Sequence, residues 1–137
     1  MAVVAGFIGR KYSGGHILVD AYADRTWILN RASDADEKFS LDNALKKIPS
    51  FNPQNRDRFI IPISEEQPLF FLGKRDHWCL LCVDYRDGKY HFNLFDPKSK
   101  FIGYDTTRIQ QEIENNFSGS QMISHYLGIQ SFFNFTG

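Results

Sequence analysis

An α+β fold, with a mostly antiparallel sheet and helices packed against it, is predicted by three features of this sequence. Two apolar runs of strand length flank Asp87-Gly88. Apolar residues recur at helical spacing in two separate stretches, 40–48 and 107–117. Short β-branched and aromatic runs, Phe59-Ile60-Ile61-Pro62-Ile63 among them, supply further strands.

Residues 1–20 set Gly6, Gly9, Gly14 and Gly15 around short apolar pieces and read as irregular or short strand, with His16 to Val19 as one strand. Arg25 to Leu29 forms another short element. Leu41, Ala44, Leu45 and Ile48 fall on one helical face, with Ser40 as N-cap and Pro49 as the stop. Asn52-Pro53-Gln54-Asn55 is a loop. Pro62 cannot donate to a ladder, so its strand is expected at an edge or Pro62 at a strand end. Ser64 to Asp76 reads as a longer loop. The hairpin then runs over about 77–84 and 89–96, with Tyr85 to Gly88 as its loop. Ile109, Ile113 and Phe117 mark the stripe of a helix over about 107–117, with a Thr107/Gln110 capping box and Gly119 past its end. Residues 121–130 read as a last strand, and Ser131 to Gly137 is aromatic.

The 137 residues suffice for one domain with one core, 1–137. A hydrophobic content of 42% with thirteen Phe excludes disorder. Sixteen basic residues balance sixteen acidic ones, which gives no electrostatic case for nucleic acid as the main partner. No apolar run approaches the roughly 20 residues of a membrane span, so no membrane partner is expected. Arg10-Lys11 follow the mildly apolar start instead of preceding it, the reverse of a secretory signal. Two cysteines three residues apart make no disulfide framework and suggest a reducing compartment. The expectation is a soluble protein, with no cofactor and no metal.

With a loop over Tyr85 to Gly88, His77 faces Asp96 across the hairpin. Opposed residues share a face, with Cβ atoms roughly 4.5–5.5 Å apart. A neutral imidazole can take a proton from a nucleophile while a carboxylate on its other nitrogen fixes the tautomer, two-thirds of a hydrolytic triad. The plain alternative is a structural cross-strand pair. Cys79 and Cys82 point to opposite faces of a strand, which argues against chelation or Cys-x-x-Cys redox chemistry and for buried core cysteines. His16, His91 and His125 have no ligand spacing. Trp78 is either a core anchor or a platform walling the site.

These residues resemble the ubiquitin-like-protein proteases, the clan CE cysteine proteases. Phe59-Ile60-Ile61-Pro62-Ile63 is similar to their apolar strand with proline, His77-Trp78-x-Leu80-x-x-Val83-Asp84 to their His-Trp strand, and Phe95-Asp96-Pro97 to the strand ending in the orienting Asp. The superfamily includes SUMO and NEDD8 proteases, bacterial effector deubiquitinases and effector acetyltransferases. The resemblance implies His77 as general base, Asp96 as its orienter and Gln130 as an oxyanion donor. It implies Trp78 as a wall of the channel for a glycine-rich tail. It covers about 59–137, while residues 1–50 carry no recognisable motif.

The family's cysteine would follow six positions after Gln130, where this sequence has Thr136, then Gly137. A threonine hydroxyl lacks a thiol's acidity, and threonine nucleophiles usually rely on their own free amine. Three explanations are open: a fragment ending before the nucleophile-bearing helix, a degenerate member that retains binding, or an offset alignment with the cysteine past Gly137. The implied partner is ubiquitin or a ubiquitin-like protein. The implied place is cytoplasm or nucleus, or a host cytosol for a secreted effector. Whether the chain is an enzyme stays open. Two alternatives are a non-catalytic modifier-binding module and an acetyltransferase, for which Lys98 and Lys100 would be coenzyme A phosphate contacts.

Overall fold

The computed structural model describes residues 11–13, 16–21, 24–33, 40–68, 74–98 and 106–130. Among the described residues seven strands form one sheet in sequence order: β1 (Lys11–Ser13), β2 (His16–Ala21), β3 (Asp24–Ile28), β4 (Asp57–Pro68), β5 (Lys74–Arg86), β6 (Lys89–Lys98) and β7 (Met122–Gln130). Neighbours pair antiparallel except β3 with β4 and β6 with β7, which are parallel. Each parallel pair brackets a helix: α1 (Leu41–Lys47) lies between β3 and β4, and α2 (Thr107–Asn116) between β6 and β7. A parallel neighbour requires such a crossover. The fold is the expected α+β type with a mostly antiparallel sheet.

The core lies between one sheet face and the helices. Phe59, Ile61 and Ile63 of β4, Cys79, Leu81 and Val83 of β5, and Phe92 and Leu94 of β6 alternate onto that face and are buried. Leu41, Leu45 and Ile48 cover it on one side and Ile109 and Ile113 on the other. Ser40 caps α1 by accepting from the Asn43 N–H at 3.2 Å. Beyond Lys47 the chain tightens into a 3-10 turn, Ile48–Phe51, with Pro49 in its first turn and Asn52 left-handed at its end. Phe51 stacks near Trp27 and Phe59, with ring centroids 4.6 and 5.6 Å away.

Several sequence expectations need correction. Pro62 sits inside an interior strand: β4 lies between β3 and β5. Its carbonyl accepts from Ala32 at 2.8 Å, so its backbone edge turns toward β3. The β3 ladder ends at Ile28↔Ile60 and a single bridge follows at Ala32↔Ile63, so the missing N–H falls in the gap between them. Ser64 to Asp76 is largely strand, because β4 and β5 stay paired from Ser64↔Trp78 to Pro68↔Lys74. The capping box does not form. Thr106 is the N-cap, without a side-chain bond, and Gln110 instead donates to the Ser120 carbonyl and accepts from Met122 N–H. That pair of bonds ties α2 to the start of β7. The glycines Gly6, Gly9, Gly14 and Gly15 lie outside the described residues.

Candidate functional site

The hairpin turn has two residues, Asp87 (φ 53°) and Gly88 (φ 78°), and Tyr85 and Arg86 belong to β5. Left-handed conformations at both positions are the type I′ requirement that Asp-Gly meets. The register is therefore two residues off the one expected from a four-residue loop. Observed pairs run from Arg86↔Lys89 to Leu80↔Phe95. Position 77 is not directly opposite Asp96. The recorded pairing ends at Leu80↔Phe95; continued in the same register it would set positions 77 and 96 on one face, diagonal to each other. Diagonal neighbours are roughly 7–8 Å apart, still within reach of long side chains.

Asp96 is fully buried and engaged in a polar or electrostatic contact. Burying a carboxylate costs several kcal/mol by general estimate unless it is compensated. Beyond it, the β6–β7 ladder has an irregularity: Asp96 pairs with Tyr126, but Lys98 pairs with Gln130. The two extra residues of β7 include Gly128 at φ 67°, where any side chain would be strained. The bulge brings Gln130, the last residue of β7, beside the end of β6. Positions 77, 96 and 130 thus gather at one end of the sheet. Thr136, Lys100 and the stretch 131–137, with Phe132, Phe133 and Phe135, lie outside the described residues.

Trp78 points away from that face. It is 40% exposed, and the Arg31 guanidinium lies 5.8 Å from its ring centre, so it is no core anchor. On the same outer face Leu80 is exposed, and His125 stacks on Phe95 at 4.8 Å while bonding Asn93 at 2.9 Å. Cys79 is buried on the core side and Cys82 lies half-buried on the outer side, as strand alternation demands. Burial, then the charge of Asp84, pushes the Cys82 thiol up to about 11. Cys82 therefore lacks the lowered pKa of a nucleophilic thiol. His91 stands opposite Asp84, whose carboxylate is held by Arg58 at 2.7 Å. Tyr126, opposite Asp96, was not singled out by sequence, because a parallel neighbour beyond a helix leaves no local pattern.

Among the described residues no helix is long and apolar enough to cross a membrane. No protein-family profile and no curated protein matches the sequence. Solved structures do match. One crystal structure of the Legionella pneumophila effector protein RavZ superposes with a TM-score of 0.59 and 14% identity, over 86% of this chain and 40% of that one. A second RavZ structure gives 0.56 and 13%, over 86% and 42%. RavZ in complex with human LC3B gives 0.51 and 14%, over 84% and 39%. The chain spans about 40% of the length of these RavZ chains. At such identity the likeness shows the fold: this chain has an α+β fold found within RavZ.

Proposed function

We propose that this chain carries the His–Asp part of a thiol isopeptidase or deubiquitinase-like site that acts on a ubiquitin-like modifier. The observation that carries the reading is the register, with position 77 and the buried Asp96 on one face at the sheet end where Gln130 closes β7. In this reading the His77 imidazole takes the nucleophile's proton, and Asp96 holds the other ring nitrogen. The Gln130 amide donates to the oxyanion. The fold shared with RavZ supports the reading, as does the LC3B complex, since LC3B is itself ubiquitin-like. It also supports a host cytosol as the place of action.

Thr136 stands where the resemblance puts the nucleophile. The test is Thr136→Cys, challenged with ubiquitin, SUMO, NEDD8 and LC3 probes bearing a thiol-reactive C-terminus. A covalent adduct with one probe, lost in Thr136→Cys/His77→Ala, is the expected result. No adduct with any probe, together with no binding of the unmodified modifiers, would sink the reading. The LC3B complex also favours a second reading, a binding module without turnover. In that case the native chain binds a modifier while Thr136→Cys stays unreactive.

A further inference from the structure

At the end of the sheet away from Asp96, β6 starts before its neighbour does. β6 begins at Lys89, but pairing with β7 begins at Phe92↔Met122. Lys89, Tyr90 and His91 have β5 on one side and, among the described residues, no strand on the other. In a two-residue hairpin the closing pair, here Arg86 and Lys89, bond each other's backbones. Alternation then turns the N–H and C=O of Tyr90 outward, into the lane that β7 has not reached.

That lane is a cavity of about 660 Å³. The volume falls within the usual range of binding pockets. Arg86, Lys89, Tyr90, His91, Phe117 and Gln121 contribute to its lining, and no Asp or Glu is among the lining residues. Arg86 and Lys89 are exposed and stand directly opposite each other, a repulsive arrangement. Among the described residues no ion pair engages either of them. Asp84, further along β5, is held by Arg58, and the turn residue Asp87 does not line the cavity. An open strand edge and two unneutralised cations therefore share one cavity.

We propose that this lane is a docking site for an extended acidic peptide segment of a partner protein. The segment adds to the β6 edge in line with β7 and sets its carboxylates against Arg86 and Lys89. Backbone pairing with Tyr90 holds it in register, the mode in which sheet edges take up strands. The Tyr90 and Phe117 rings, 4.7 Å apart, offer an apolar wall to one of its side chains. Three residues of open edge correspond to roughly 10 Å of strand. A small inorganic anion would use the cations but neither the edge nor the rings, so the peptide is the better fit.

The test is a titration of the 137-residue chain into a fluorescein-labelled peptide that alternates Glu with Val, read by anisotropy. Saturable binding is expected, weakened about tenfold or more by Arg86→Glu/Lys89→Glu. Circular dichroism and the urea midpoint check that the variant folds, and Arg86→Gln/Lys89→Gln replaces it if it does not. The Tyr90 amide should exchange more slowly with solvent in the complex, and a peptide with Lys in place of Glu should not bind. Absence of binding, equal binding by the charge-altered chain, or equal binding of the Lys peptide would each overturn the proposal. Displacement by millimolar phosphate with no slowing at Tyr90 would do so too, and would leave a small-anion site. None of these readouts involves His77, Asp96 or Thr136, so the outcome is independent of the isopeptidase reading.

Discussion

Cys82 titrates well above an ordinary thiol because burial, and then the charge of Asp84, disfavours its thiolate. The thiolate is the reactive form. Ellman's reagent at pH 7.5 should therefore label the folded chain far more slowly than the urea-unfolded chain, and rapid native labelling would show that a thiol is reactive in the fold. The same shift sets a pH dependence. The folded state holds the proton more tightly than the unfolded thiol, whose ordinary value is 9.0. Its contribution to stability is intact below pH 9 and declines as pH rises toward about 11. Comparing Cys82→Ala with the native chain at pH 8 and pH 10.5 isolates this from Tyr90, which burial also raises. Asp57 offers a second test. It is buried, accepts from the Gln54 N–H at 2.9 Å and lies 3.3 Å from Arg25 Nε. Asp57→Ala should cost about 1–3 kcal/mol in urea unfolding, since it strands a part-buried donor and removes the partner of a cation. Asp57→Asn keeps an acceptor for Gln54 and should cost less. Equal losses would assign the whole effect to the ion pair.

At the scale of elements, the Asp87-Gly88 turn sets the register of the central hairpin, and hence which positions meet at the candidate site. A Cβ at Gly88 meets nothing within 4 Å, so a substitution there is strained through its backbone alone. Gly88→Ala should cost about 1–2 kcal/mol by the left-handed penalty, measured as a fall in the urea midpoint. An unchanged midpoint would mean that the turn adapts and does not dictate register. The turn's existence was legible because Asp-Gly between apolar runs is a strong local signal. Its length was not, because Tyr85 and Arg86 look like loop residues. The structure keeps them in strand, with the Tyr85 and Tyr90 rings 4.8 Å apart across the pair. Both helices were legible from their apolar stripes. The strand over Ser64–Pro68 was not, since Ser-Glu-Glu-Gln-Pro has no apolar alternation and only its pairing with β5 makes it strand. The role of Gln110 was equally hidden, because its partners Ser120 and Met122 are brought back by the turn after α2.

Across the whole molecule the sheet is two-sided, with one face buried in the core and the other carrying exposed apolar residues. His77 and Asp96 could be picked out because each sits in a short strand motif. The approach of the β7 end to the end of β6 could not be read from spacing, because it depends on a parallel strand returning after α2 and on a bulge at Gly128. The core face is closed by α1 and α2, while the outer face leaves Trp78, Leu80, Ile123 and Leu127 exposed by 40, 45, 61 and 50%. Exposed apolar residues on a sheet face are candidates for an interaction surface. Leu81, fully buried on the core face, should therefore cost about 2–5 kcal/mol when changed to Ala. Trp78→Ala should cost no more than about 1 kcal/mol, the scale of its contact with Arg31. If a ubiquitin-like modifier docks over Trp78, the same substitution should weaken its binding several-fold in a calorimetric titration, and His77→Ala should leave the affinity nearly unchanged. A base acts on the reacting bond and contributes little to holding the folded body of a modifier, so the two adjacent residues should separate in this experiment. Equal losses of affinity from both variants would instead put recognition at the sheet end itself and remove the outer face from the binding surface.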